Sequence, residues 1–309
     1  MPELPEVELY IRALRARLLG RRLLRLQVLS PSLLRTFDPP ARSLHDRSVR
    51  ALVRLGKRIA IEFEGDYFAV LHLMMGGRLR WLAAAERAGR EPKAGALARA
   101  RARGRNTHAV FHFENGELVL TEAGTKKRAS LHVVRGAEAL AALDRGGIEP
   151  LAASAAEFRA ALRRENHTLK RALTDPRLFS GIGNAHSDEI LFRAGLSPAR
   201  RTRQLSDDEI ARLAAVTRAW LEAAVARLVA EAGDRFPDKI TAFHPMHAVH
   251  GRFGEPCPVC GSPIQRIVYA QNETNYCARC QTSGRLLADR AFSRLLGEDW
   301  PRTLEELEG

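Results

Sequence analysis

Cys257-Pro258-Val259-Cys260 and Cys277-Ala278-Arg279-Cys280 contain every cysteine of the chain, as two pairs with residues 261–276 between them. Each Cys-x-x-Cys can set two thiolates on one tight turn. The intervening Ile264-Gln265-Arg266-Ile267-Val268-Tyr269 has strand character, so a short hairpin brings the two turns together. Four thiolates gathered this way predict one structural Zn2+ ion with Cys257, Cys260, Cys277 and Cys280 as its ligands. All four positions are filled by protein, so the metal holds shape and performs no chemistry. A redox dithiol and two disulfides are the alternatives, and a reducing compartment argues against the disulfides. His244, His247 and His250, just upstream, are not needed as ligands and read as loop or groove residues.

Working back from this module, residues 234–256 carry few periodic signals, whereas 151–233 read as helical. Ser154 with Glu157 and Ser206 with Glu209 have capping-box spacing. After the second box, Ile210, Leu213, Trp220, Leu221, Val225 and Leu228 follow a helical period up to Gly233. Further back, near Gly146-Gly147 and Pro150, the character changes again. Segments 23–29, 49–55, 57–64, 67–74 and 131–134 read as strands. Segments 108–114 and 117–122 flank Asn115-Gly116, a strong hairpin signal. Val7, Tyr10, Ile11, Leu14 and Leu18 mark an amphipathic helix over 3–19, ended by Gly20. Beyond Cys280, a helix over 285–296 precedes an acidic end. The expected fold is therefore α+β and multidomain. It comprises an N-terminal helix plus β-sandwich domain (1–135), a helical domain (150–233), a four-cysteine finger (245–284) and a C-terminal extension (285–309).

The 309 residues carry 49 Lys and Arg against 36 Asp and Glu, a net charge of +13. Such an excess suits a polyanionic partner, because basic side chains neutralise phosphates and release condensed counterions. An Arg-rich composition without a partner is the alternative. The run 87–105, with Arg87, Arg90, Lys93, Arg99, Arg101, Arg103 and Arg105 against Glu91, reads as a phosphate-facing arm or a solvated loop. No apolar stretch is long enough to span a membrane, and the start lacks a secretory pattern. A cytoplasmic, nucleoid-associated protein is expected.

Pro2 follows the initiator Met, and a small residue there permits Met removal. The exposed secondary amine would titrate well below a lysine and be partly neutral at pH 7. Such an amine can attack a sugar C1′ and form a Schiff base, with Glu3 beside it for proton transfer. By itself this is a weak signal, since Glu3 also suits a helix start.

Pro2-Glu3-Leu4-Pro5-Glu6-Val7-Glu8 resembles the opening of the formamidopyrimidine-DNA glycosylase / endonuclease VIII family, and its Leu4 is closer to the formamidopyrimidine branch. The likeness runs along nearly the whole chain. Arg54-Leu55-Gly56-Lys57 resembles the family's β-strand lysine, and His72-Leu73-Met74-Met75-Gly76-Gly77-Arg78-Leu79-Arg80 its loop with an intercalating methionine. Phe179-Ser180-Gly181-Ile182-Gly183-Asn184 with Ser187-Asp188-Glu189-Ile190-Leu191-Phe192 resembles the helix–two-turn–helix signature. Gly251-Arg252 and Gly254-Glu255-Pro256-Cys257 resemble the opening of its zinc finger.

The resemblance implies a monomeric DNA-repair glycosylase and abasic-site lyase acting on double-stranded DNA with a damaged base or abasic site. Pro2 is then the nucleophile, and Glu3 protonates the deoxyribose ring oxygen. Lys57 binds phosphate or the opened sugar, unless it is a solvated surface lysine. Met75, in a loop that begins at the DNA-facing His72, fills the gap left by the flipped nucleotide. Flipping is needed because the target atoms are unreachable inside the stack. Core packing is the alternative for Met75 and suits Met74 better. Asn184 holds phosphate at a helix start, caps that helix, or does both.

Three departures qualify this. Glu122-Ala123-Gly124-Thr125-Lys126-Lys127-Arg128 stands where the family often has Asp-Pro-Arg-Arg-Phe, so the arginine and phenylalanine that read the orphaned base are missing. Lys126 or Lys127 remains to touch phosphate. Asn272, in Gln271-Asn272-Glu273-Thr274-Asn275-Tyr276, takes the place of the finger arginine and brings no charge, so affinity falls or another cation substitutes. Arg235, Phe236, Lys239, Phe243 and His244 do not resemble the family's loop over an oxidised purine, and imply a different pocket. The expected lesion range is therefore open: formamidopyrimidines, oxidised pyrimidines, abasic sites or bulky adducts. Competing readings are a damage-binding protein of the same fold without catalysis and an RNA-binding zinc ribbon. The sparse aromatic residues weigh against the latter.

Overall fold

The structure is a computed structural model in which residues 1–84, 106–238, 240, 244–269 and 272–308 are described. The arginine-rich run 87–105 lies outside the described residues, as do Lys239 and Phe243. The chain forms two compact units, Met1–Asp144 with Val225–Thr241, and Arg145–Ala224 with Ala242–Gly309. Among the described residues no helix is long and apolar enough to cross a membrane.

The first unit opens with helix α1, Leu4–Leu18, in which Glu3 is the N-cap. Leu4, Val7, Tyr10, Ile11, Leu14 and Leu18 are fully buried along the stripe that the sequence spacing predicts. Gly20, at φ +74°, turns the chain out of the helix into strand β1, Arg22–Val28. There follow β2 (Arg47–Leu55), β3 (Arg58–Phe63), β4 (Tyr67–His72), β5 (Gly77–Ala83), β6 (Thr107–Phe113), β7 (Gly116–Glu122) and β8 (Ser130–Arg135). They pair antiparallel in the order β5-β7-β6-β1-β2-β3-β4-β8. Between β1 and β2 only Arg22↔Ser48 and Leu23↔Arg47 are in register, so two four-stranded halves meet at a short seam. This is the strand-rich domain the sequence predicts, on which α1 packs through β2 and β3.

Two local readings change. Strand β5 is absent from the strands read in the sequence and overlaps the stretch 72–80 that resembles a loop, because Gly76-Gly77 and two arginines mask its alternation of Leu79 and Trp81 with Arg78 and Arg80. The Asn115-Gly116 hairpin exists, but Phe113 pairs with Gly116, so the turn residues are Glu114 and Asn115. Gly116 is instead a strand residue that lets another group approach: a Cβ there would lie 2.5 Å from the Trp81 ring and 2.6 Å from the Leu82 carbonyl oxygen.

The second unit contains helices α3 (Ala155–Arg163), α4 (Leu169–Thr174) and α5 (Asn184–Arg193), which follow the short α2 (Ala137–Ala141) of the first unit. Both predicted capping boxes form. The amides of Ser154 and Ser206 donate to Glu157 and Glu209 at 2.8 and 2.9 Å, and those of Glu157 and Glu209 donate back to the serine hydroxyls at 3.2 Å. The second box starts α6, Asp207–Ala232. Phe158 stacks on Phe179, with ring centroids 4.7 Å apart, in the core beneath α3.

Strands β9 (Ile264–Tyr269) and β10 (Asn272–Cys277) form a two-stranded ribbon that leads into helix α7, Ala278–Thr282. One ribbon face buries Ile264 and Cys277 with Phe192, Val249 and Cys257. The other buries Tyr276 with Ala278 and Leu304, flanked by Ile267, Leu286 and Leu287. The C-terminal segment, with α8 (Arg290–Leu296) and α9 (Leu304–Glu308), is thus folded onto the finger. The Asp289 carboxylate accepts the Val268 amide at 2.7 Å, and the Tyr276 hydroxyl accepts that of Leu287 at 2.7 Å.

Candidate functional site

The N-terminal end is built by the start of α1. Pro2 and Glu3 are both buried, and the Glu3 amide donates to the Glu6 carboxylate at 2.7 Å. This locks the first residues to the helix at a spacing that local backbone geometry dictates. Burial pushes the pKa of the Met1 α-amino group below its ordinary value. Glu3 and Glu6 oppose that shift, and Arg78 and Lys57 add to it. Two carboxylates and two cations therefore act electrostatically on the Met1 amine. Sequence reading found Glu3 and Lys57 but missed Arg78, whose strand it did not recognise. Glu6 was visible only as part of the opening motif, although its spacing from Glu3 is the signal of a helix start.

Lys57 sits in the two-residue turn between β2 and β3, where Leu55 pairs with Arg58 and Gly56 adopts φ +62°. Arg54 holds this turn against α1. Its guanidinium donates to Glu8 at 2.7 Å and to the Gly56 carbonyl at 3.0 Å, with the side chain 6% exposed. The turn that carries Lys57 is therefore anchored to the helix that begins at Glu3.

Between β4 and β5, Leu73 is buried, Met74 is half-buried at φ +52° and Met75 is 61% exposed. Leu73, and not Met74, is the core residue of this loop. Two glycines shape it: a Cβ on Gly77 would fall 2.2 Å from the Leu73 carbonyl oxygen, and one on Gly76 2.6 Å from that of Ala123. The methionine tip is thus an apolar side chain offered to solvent on a tightly closed loop. His72, half-buried, ends β4 opposite Ser130 and Arg58.

The segment after β7 is clipped by the buried Glu122, whose carboxylate accepts the amides of Arg128 at 2.8 Å and Ala129 at 3.1 Å. Lys127 folds back to the Glu122 carbonyl at 2.5 Å and to the Asn106 side chain at 3.2 Å, whereas Lys126 is exposed. Of the two lysines, Lys126 presents its charge outward. Phe236 packs on Tyr10, with centroids 6.0 Å apart, and lies under Arg17 of α1. Arg235 donates to the Glu231 and Ala232 carbonyls at the end of α6.

In the second unit Gly183, not Asn184, is the N-cap of α5. The Asn184 amide side chain instead donates to the Glu273 carbonyl of β10 at 2.6 Å. Behind it lies a buried charge network that sequence reading saw only as part of a signature. Lys170 donates to the Asn184 carbonyl at 2.6 Å and to Asp188 at 2.5 Å, and Asp188 also bonds His250 Nδ1 at 2.8 Å. The Glu189 carboxylate accepts the successive amides of Ala248, Val249 and His250 at 2.9–3.0 Å and pairs with Arg193. Burial opposes its ionisation, but those amides and Arg193 outweigh it and lower its pKa. Glu189 thus fixes the segment that enters the finger.

All four cysteine Sγ atoms lie within 4.8 Å of one another, with Cys260 and Cys277 3.4 Å apart and Cys257 and Cys280 3.9 Å apart. A tetrahedral ion with metal–sulfur bonds of about 2.3 Å requires edges of about 3.8 Å. Burial pushes the Cys277 thiol up to about 11 and raises that of Cys280 too, whereas for Cys260 hydrogen bonds from Ser262 and the neighbouring cysteines outweigh burial and bring it down to about 6. Four thiols this close resist joint ionisation unless a cation neutralises them, so the donor set fits a metal ion. Asn272, exposed, begins β10 beside the ribbon tip.

Comparison with known proteins adds the following. The model of the formamidopyrimidine-DNA glycosylase N-terminal domain matches residues 1–128, its H2TH domain matches 147–232, and the zinc finger found in FPG and IleRS matches 254–282. The chain is 34% identical over 296 residues to the formamidopyrimidine-DNA glycosylase of Desulfitobacterium hafniense, covering 91% of this chain and 100% of the relative. It is 34% identical over 290 residues to that of Thermus thermophilus, covering 92% and 100%. Among solved structures, the Lactococcus lactis Fpg in complex with abasic-site DNA aligns with TM-score 0.75 at 25% identity, covering 91% of this chain and 99% of that one. The MutM (Fpg) protein of Thermus thermophilus aligns with TM-score 0.72 at 32% identity, covering 91% and 98%.

Proposed function

Because the chain belongs to the formamidopyrimidine-DNA glycosylase family, we propose that it excises damaged bases from double-stranded DNA as a monomer. We further propose that it cleaves the resulting abasic site through a Schiff base on Pro2, once Met1 has been removed. The observation that carries this reading is the start of α1, where Pro2 and Glu3 are buried side by side and the Met1 amine that precedes them is lowered in pKa by burial. Solved relatives described as complexes with abasic-site DNA and with 8-oxo-G-containing DNA support the partner.

The chemistry follows from these groups. The amine lone pair bonds C1′ as the C1′–base bond breaks, its electron pair and a proton leaving with the base. The nitrogen's proton is the one that passes to the departing base; Glu3 then gives a proton to the ring oxygen, and the C1′–O bond opens as the nitrogen lone pair forms the iminium. That electron sink acidifies the C2′ proton, whose removal expels the 3′ phosphate, and water releases Pro2. Lys57 neutralises phosphate beside the opened sugar. Met75 fills the vacated stack, and Asn184, Lys126 and Asn272 contact the strand. Four thiolates hold Zn2+, which keeps the finger folded. The lesion range departs from 8-oxoguanine, a reading supported by the absence of an arginine–phenylalanine pair in 123–127.

The test is borohydride trapping of tag-free protein on duplexes carrying a panel of lesions and an abasic site. A covalent adduct whose peptide digest places the sugar on Pro2 is expected. Intact duplex binding with no adduct on any substrate would leave a damage-binding protein. Since the reacting amine must be neutral, trapping should rise with pH through the usual α-amino range near 8.

A further inference from the structure

The finger presents its ribbon in an asymmetric way. Along β9, Gln265 and Ile267 share a face with Thr274 and Tyr276 of β10, and the C-terminal segment closes that face with Leu286, Leu287 and Leu304. By the same alternation Asn272, which stands where the family has its arginine, points to the side that this segment closes further down the ribbon, although Asn272 itself is exposed. The other face starts in the metal core at Ile264 and opens towards the tip, where Val268 is 36% exposed.

Arg266 is on this open face, opposite Asn275. Its guanidinium lies 4.2 Å from the centroid of Phe253, itself 50% exposed. The pairing is built in by the backbone: the Gly254 amide donates to the Ile264 carbonyl at 2.9 Å, which brings Phe253 beside β9. Arg266 extends towards the tip and comes 3.8 Å from the Glu273 carboxylate, at 43% exposure. The other Glu273 oxygen accepts the Asn275 amide side chain at 2.7 Å, and the Glu273 carbonyl holds Asn184. A cation stacked on an exposed ring loses less freedom when it binds an anion, and its planar fork matches two phosphate oxygens.

The geometry points to Arg266, stacked on Phe253, as the finger's phosphate contact in place of the charge missing at Asn272. This rests on the DNA-binding reading above. Glu273 links Arg266, through its carboxylate, to Asn184, another proposed strand contact of this unit, through its carbonyl. The Glu273 contact is long and half-exposed, so it orients the arginine without competing strongly for it.

The test is a salt series. The full, metal-loaded chain is titrated with a duplex containing a reduced, uncleavable abasic site, and log affinity is plotted against log salt. Each phosphate contact contributes a slope of about 0.9. Arg266→Ala is expected to bind about tenfold more weakly and to flatten the slope by about 0.9. Arg266→Lys should keep the slope while losing part of the affinity, and Phe253→Ala should weaken binding without changing the slope. Metal content and melting temperature equal to wild type establish folding, and Arg266→Gln carries the same test if the alanine variant loses metal. Wild-type binding with an unchanged slope in Arg266→Ala and Arg266→Gln overturns this assignment alone. Failure of the wild type to bind overturns the DNA-binding reading and the assignment together.

Discussion

The two ends of the protein hold their chemistry differently. At the N-terminus, Pro2 and Glu3 are buried where a helix begins, and the turn carrying Lys57 is tied to that helix through Arg54 and Glu8. At the finger tip and after β7, Lys126, Asn272 and Arg266 are exposed side chains. Groups proposed to move protons and electrons need fixed positions, and these come from junctions whose geometry the fold dictates. Groups that read a partner's surface can be exchanged without disturbing that geometry. The chain keeps its family's motifs at the first kind of place and departs from them at the second.

The sharpest way to break this contrast is at the buried end. Glu3→Gln is expected to lower the rate of Schiff-base formation and strand cleavage on the order of 10²- to 10⁴-fold, as loss of a general acid does. Single-turnover kinetics with undiminished duplex affinity would confirm that only the chemistry was lost, and a rate within twofold of wild type would sink the role.

The next effect is on stability. Glu189→Gln removes a buried charge facing three amides and Arg193, and should cost about 3–5 kcal/mol in denaturant unfolding. The Glu189 carboxyl is held below its ordinary value of 4.5 in the folded state. Its contribution is therefore complete at neutral pH and is lost as pH falls through the lower, folded value. The gap between wild type and variant should close in acid, and a gap independent of pH would refute the ionised assignment.

Metal removal probes the exposed end. Chelation that strips the four cysteines should weaken duplex binding on the order of 10- to 100-fold, as the finger's charged contacts are lost. Elemental analysis paired with binding isotherms measures it, and full affinity in metal-free protein would contradict the structural role.

The smallest effect compares two neighbours in one loop. Met75→Ala should change folding stability by less than about 0.5 kcal/mol, since the side chain is largely in solvent, yet slow excision from duplex several-fold. Leu73→Ala, at a fully enclosed position, should cost about 2–5 kcal/mol. Thermal melts and duplex turnover separate the two.

Much of this was legible in the sequence because the signals were local. The stripe of α1, both capping boxes and the cysteine pairs depend on spacings of three or four residues, and the structure has each of them. What was hidden depends on contacts distant in sequence. Strand β5 disappeared behind its glycines and arginines, and with it the approach of Arg78 to the N-terminus. Gly116 announced a turn but was needed one residue later for the Trp81 ring. Asn184 looked like a cap, yet its amide side chain is taken by a carbonyl 89 residues away. Nor does any short pattern announce that Glu189 will collect three amides from 248–250.

The setting of Trp220 has a practical consequence. Its indole N–H donates to His186 Nδ1 at 3.0 Å, and the Arg193 guanidinium lies 3.8 Å from its ring centroid, so helix α6 is clasped to α5 through one chromophore. Trp81 rests over Gly116 in the other unit. Replacing Trp81 by phenylalanine leaves Trp220 and Trp300 as reporters of the second unit, and replacing those two leaves Trp81 for the first, so the melting of each unit can be followed separately.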